Sequence, residues 1–184
     1  MNWIDVFPVV LLIAYGVGGF FSGVVRRMIG LLALFLACWA ATNMGLQAGG
    51  ILQQSSNFET ADARIYGFFG IMLAVLIIIE VATQLAHSQI QLPALVLNRT
   101  LGAVLGVLTA ILFSFVVIHE LEAAAQPIGG AQLDQLEQEI RDTIKGSVVM
   151  VPVADKIGRP FVAAFQPFLP NDPQSYFGPG AVNP

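Results

Sequence analysis

Charge is scarce in this sequence. Only 11% of its 184 residues are Asp, Glu, Lys or Arg, whereas soluble domains average about 25%. Much of its surface therefore faces something other than water. Positive charge is scarcer still, with 8 Lys and Arg against 12 Asp and Glu. No basic face is available to displace counterions, which excludes nucleic acid as a partner. A single cysteine, Cys38, excludes an internal disulfide framework and a thiolate metal cage. A lone apolar-flanked cysteine behaves as a small hydrophobe, so Cys38 reads as a helix-packing residue. The start has no positively charged n-region, and Asp5 stands where a cleavable signal would carry Lys or Arg. Catalytic signatures are also missing. There is no Walker loop, dinucleotide glycine fingerprint or HExxH, and no GxSxG elbow. These absences lead us to expect no enzyme activity, no bound metal and no cofactor.

Apolar sequence fills the gap, at 56% of the chain. It gathers in four runs, Ile4–Phe21, Met28–Leu46, Ile65–Ala86 and Leu101–Leu121. A hydrocarbon core about 30 Å thick needs about 20 apolar residues of helix. The expected fold is therefore all-α: an integral membrane helical bundle with four transmembrane helices and a C-terminal amphipathic helical tail. We place the transmembrane domain at 1–122, an extracytoplasmic interfacial tail at 123–170 and a flexible terminus at 171–184. Gln47–Asp62 reads as a loop. Ser88–Asn98 reads as a short connection, interrupted by Pro93. In the tail, Leu133, Leu136, Ile140 and Ile144 recur at helical spacing, predicting an amphipathic helix from about Ala131 to Lys145. Val148–Leu169 is apolar but broken by Pro152, Pro160 and Pro167. Its Val153, Ile157, Phe161, Phe165 and Phe168 share one face, which suits a segment lying on the membrane surface or on the bundle.

Basic residues set the orientation, because Lys and Arg near span ends favour the cytoplasm. Arg26 and Arg27 sit between the first two runs and Arg99 precedes the fourth. Both short basic turns are thus expected inside and both termini outside. Arg141, Lys145, Lys156 and Arg159 are mixed with acids well beyond the last run and are discounted.

Two residue patterns are candidates for function. Small residues recur every fourth position in Gly102, Gly106, Ala110 and Ser114, in Gly19 and Gly23, and in Ala33, Ala37 and Ala41. Such faces let helix backbones approach closely where water does not drive association. They serve either packing within the bundle or self-association. The third run carries Glu80, Thr83, Gln84 and His87 on one helical face. An intramembrane acid either pairs with a base, here Arg26, Arg27 or Arg99, or lines a wet crevice for an ion. His87 and His119 are expected at opposite membrane faces, so they share no metal. His119, Glu120 and Glu122 read as a solvated helix end.

The order of several short stretches resembles the colicin V production protein (CvpA-like) family. Asn2-Trp3-Ile4-Asp5 is similar to its start, and Gly19-Phe20-Phe21-Ser22-Gly23-Val24-Val25-Arg26 to its glycine-and-arginine turn. Leu97-Asn98-Arg99-Thr100-Leu101-Gly102-Ala103-Val104-Leu105-Gly106 resembles its most marked stretch, and Ser147 with Pro152 its tail. Two positions depart from that pattern. Asn98 stands where the family usually has an acid, and Arg27 where an acid often follows the arginine. The resemblance implies a bacterial multi-pass inner-membrane protein connected with toxin production or export. Its expected partners are the lipid bilayer and other membrane proteins or further copies of itself. A scaffold is the leading reading; a small transporter or channel component, or a subunit of a larger membrane complex, are the alternatives.

Overall fold

The computed structural model describes residues 2–56, 58–86, 95–127 and 132–177. Among the described residues all regular structure is helical. Three helices are long and apolar enough to cross a membrane: α1 (Trp3–Ser56), α2 (Thr60–Ala86) and α3 (Leu95–Ala124). A tail follows, with α4 (Gln135–Lys145), α5 (Met150–Val153), a π-helical turn (Ala154–Gly158) and α6 (Arg159–Ala163). It ends in a 3₁₀ turn (Gln166–Phe168) and α7 (Pro173–Phe177).

The first two apolar runs form one helical element, α1, broken at Gly23. There φ is 78° and ψ is 176°. Side-chain-bearing residues are strained at such a φ, and glycine is not. The chain doubles back at this point. In a straight helix Gly18 and Arg27 would stand roughly 13 Å apart. Instead a Cβ on Gly18 would lie 2.6 Å from the Arg27 guanidinium. The first limb, residues 3–22, packs antiparallel on α3. Gly19 meets Gly102, Tyr15 meets Gly106, and Phe7 meets Phe113. The second limb, residues 24–56, packs antiparallel on α2. Here Gly30 lies near Glu80, Gly45 against Phe68 and Gly49 against Ala63.

This arrangement makes α3 the most enclosed helix. Of its most apolar window 61% is buried, against 22% for those of α1 and α2. Large apolar side chains such as Ile13, Phe21, Leu32, Ile77, Ile78 and Val104 remain exposed around the bundle. Such a surface suits contact with lipid tails, which are as apolar as Leu.

Several expectations change. Residues 47–56 are helical rather than looped, and α2 starts at Thr60. The reason is packing: Gly45, Gly49 and Gly67 bring the two backbones together, so both helices continue past the apolar runs. Ala123 and Ala124 end α3, and α4 begins at Gln135. Of the expected face, Phe161, Phe165 and Phe168 do pack on the bundle, against Phe115 and Phe35, but Ile157 leaves it. Pro160 has no N–H for the Lys156 carbonyl, and the π turn rotates Gly158 inward against Phe115 while Ile157 is exposed. Residues 173–177, expected to be flexible, form α7 with Phe177 buried. Pro93 and His87 lie outside the described residues.

Substituting Gly106 tests the backbone contact. A methyl group there would overlap the Tyr15 carbonyl. We expect Gly106→Ala to lose about 1–3 kcal/mol, despite alanine's higher helix propensity, seen as a lower melting temperature in detergent. Wild-type stability of this variant would contradict the contact.

Candidate functional site

The two ends of the bundle carry different chemistry. At the end holding the Gly23 turn, the Asn98 carboxamide oxygen accepts the Val24 N–H at 2.9 Å. It caps a helix-start amide that the turn leaves free. An aspartate could accept the same bond, so Asn98 keeps this bond without the charge. Arg26 donates to Glu80 at 2.7 Å, with side chains 15% and 36% exposed. Arg27 is buried, donating to Ser22 at 3.1 Å. Its guanidinium lies 5.1 Å from the Tyr15 ring centre. Arg99 lies 5.8 Å from the Phe20 ring centre.

The polar stripe of α2 is thus partly engaged. Glu80 faces Arg26, and Thr83 donates to the Glu80 carbonyl at 2.9 Å. Gln84 is exposed. Of the small residues, Gly19, Gly102 and Gly106 lie in the contact between the first limb and α3, and Gly23 makes the turn. Ala110 and Ser114 are buried farther along α3, with the Ser114 hydroxyl donating to the Ala110 carbonyl at 2.7 Å.

At the other end the tail caps the bundle. Its anchor is Asp5, only 1% exposed, in the first turn of α1. Ser147 follows α4 and precedes α5. Its hydroxyl donates to the Asp5 carboxylate at 2.6 Å. The Met150 N–H donates at 3.1 Å, and those of Val148 and Val149 at 3.3 Å. These are the free amides that a helix start presents, and a carboxylate suits them electrostatically. The Ser147 oxygen also accepts the Val151 N–H at 3.1 Å. Nearby, the Asn2 side chain donates to the Thr143 carbonyl.

Aromatic contacts complete the cap. Phe165 stacks on Phe35 with centres 4.2 Å apart. Phe177 meets Phe68 at 5.4 Å. The Tyr176 hydroxyl donates to the Ala41 carbonyl at 3.0 Å. Burial pushes this hydroxyl's pKa up to about 12, so it remains a donor at any physiological pH. In α4, Glu137 accepts the Asp134 N–H at 2.9 Å and closes the helix start.

Glu120 corrects an expectation. Of the three polar residues at the end of α3, His119 is exposed and Glu122 half-buried, but Glu120 is 0% exposed. Neither carboxylate oxygen has a hydrogen-bond partner among the described residues. His119 and Glu122 instead line a cleft beside it.

The sequence reading missed three features. It did not join Asp5 to Ser147, it stopped the small-residue series before Gly45 and Gly49, and it did not see that the tail covers Glu120. A signal existed for the first two. A serine directly before an apolar segment is a helix-cap signal, and Ala41, Gly45 and Gly49 continue the four-residue spacing.

The bonds at the capped end join the tail to the first turn of α1. The Ser147 hydroxyl both donates and accepts within the cap. Among the described residues no three His, Cys, Asp or Glu side chains gather to hold a metal ion. The family model for the colicin V production protein matches residues 4–156, a stretch that includes Asp5, Ser147 and everything between them. The chain belongs to the colicin V production protein family. This family is not a known enzyme family, its name connects its members with colicin V production, and with three long apolar helices this member is a membrane protein. No curated protein and no solved structure matches it.

Two substitutions in this family member probe the cap. We expect Asp5→Asn to cost about 2–4 kcal/mol, since bonds to a charged acceptor are the stronger kind. Ser147→Ala should cost less, and the double variant less than the sum. Melting curves with limited proteolysis of the tail read this; additive losses would contradict the pairing. Glu120→Met should raise stability by about 1–3 kcal/mol, because a buried carboxyl without a partner is removed. A lower melting temperature would instead give Glu120 an ionic or hydrogen-bonded role.

Proposed function

We propose that this protein is a non-enzymatic scaffold of the bacterial inner membrane that assists an envelope process such as colicin V-like toxin production or export. The observation that carries the reading is the tail: it is held in one place by Asp5 and by ring contacts rather than left trailing. A fixed cap of this kind presents a defined surface to partner proteins.

In this proposal the chain crosses the membrane four times, with Gly23 as the first turn. About 30 Å of helix measured from that turn reaches roughly Trp3, Asn43 and Ile118 on the first limb, second limb and α3. Those levels coincide with the base of the cap, which supports one hydrocarbon slab for all of them. Arg26, Arg27 and Arg99 then lie at the cytoplasmic face. The cap and both termini lie outside, and the tail is an extracytoplasmic interfacial domain. Gly19, Gly23, Gly102, Gly106, Ala110 and Ser114 serve packing within one chain. The exposed faces of α1 and α2 are left for lipid, other membrane proteins or further copies.

A transporter or channel component is the second reading, favoured by the buried Glu120. The Arg26–Glu80 pair argues against a wet crevice at the other end, since both charges are matched there.

Topology and partnership are testable together. With Cys38 replaced, single cysteines at residues 55 and 175 should both react with an impermeant maleimide in intact cells. Protection of both sites would reverse the orientation. Purification in lipid nanodiscs should recover other envelope proteins with the chain. Recovery of the chain alone, from cells whose toxin export is unaffected by its deletion, would sink the scaffold reading.

A further inference from the structure

Beneath the cap lies a cleft of 510 Å³ between the end of α3 and the tail. Its walls are of three kinds. Phe115, Ile118 and Val162 make an apolar wall. Gln126, Gln166, Asn171 and Gln174 supply side-chain amides, and Gln174 donates to Gln126 across one end. Glu122, Asp155 and Asp172 supply three carboxylates, against the guanidinium of Arg159 and the imidazole of His119. Among the described residues, none of Glu122, Asp155 and Arg159 has an ion-pair partner within 4 Å. Asp172 is engaged differently, accepting the Ser175 hydroxyl at 2.6 Å at the start of α7.

The three kinds of wall suit one class of ligand. Convergent polar groups over an apolar wall are what a binding pocket offers. Amides that both donate and accept match a peptide backbone. The apolar wall takes an aliphatic side chain. Excess carboxylate takes a cation, and residues 178–184 of this chain contain neither Lys nor Arg. We propose that this cleft binds a short basic segment of a partner polypeptide, with Glu122 and Asp155 receiving its Lys or Arg side chains. The inference rests on the scaffold reading and names its partner by chemistry.

The test uses the full chain in phosphatidylcholine nanodiscs and a fluorescein-labelled pentapeptide with two lysines flanking a leucine. The same peptide with glutamates in place of the lysines is the comparison, and empty discs are the blank. The lysine peptide should bind more tightly, and the double variant Glu122→Gln, Asp155→Asn should weaken it about tenfold or more. Glu139→Gln, on α4 away from the cleft, should leave affinity unchanged. A melting curve confirms that each variant is folded. Equal binding of the two peptides, or unchanged affinity in the folded double variant, overturns the proposal. So does native mass spectrometry in which phosphatidylethanolamine is retained through Glu122 while the lysine peptide fails to bind; the cleft would then hold a lipid headgroup. Failure of peptide selectivity while envelope proteins still co-purify sinks this cleft alone. Absence of any co-purifying protein sinks the scaffold reading beneath it.

Discussion

Gly19, Gly102 and Gly106 bring the backbones of the first limb and α3 into direct contact, and the placement of the rest follows. A Cβ at any of the three would overlap the opposite chain. Close approach increases dispersion contact between helices in a solvent that provides no hydrophobic drive. The same approach requires the chain to reverse sharply at Gly23, where φ is positive. Asn98, one turn before Gly102, reaches the first amide after that reversal. Turn and contact therefore support each other, and both depend on missing side chains.

From that contact the position of Asp5 is set. The first limb rises along α3 and delivers its N-terminus to the far end of the bundle, beside the start of α5. A carboxylate there has two consequences. It satisfies helix-start amides that the helix itself leaves free, and it fixes where the tail begins. The prolines then break the tail into short pieces that turn over the bundle end instead of continuing away from it. Phe165, Phe177 and Tyr176 dock these pieces on Phe35, Phe68 and the Ala41 carbonyl. Glu120 is enclosed as a result, and the cleft beside it owes its walls to both α3 and the tail.

Membrane character was legible in the sequence because about 20 apolar residues per crossing is a local property, visible in Ile65–Ala86 without knowledge of any contact. The four-residue spacing of Gly102, Gly106 and Ala110 was legible for the same reason, since it is a property of one helix. The partner of that spacing was not. Whether Gly106 meets Tyr15 or a second copy is decided by where another segment lies. Glu80 was visible as an acid among isoleucines, but Arg26, Arg27 and Arg99 were equal candidates until distance separated them. Ile157 was misplaced because a single extra residue in the π turn rotates everything after it.

The sequence by itself determined that this chain is helical and apolar, that it has a basic side, and that it resembles one family. Each of these is additive along the chain: apolar length, charge position and short ordered motifs. Only the tertiary structure decided that Asp5 and Ser147 are one unit, that Glu120 is enclosed, and that the tail and α3 share a cleft. Those facts join residues separated by tens to more than a hundred positions. They follow from which backbones can touch, and hydropathy along a chain carries no record of that.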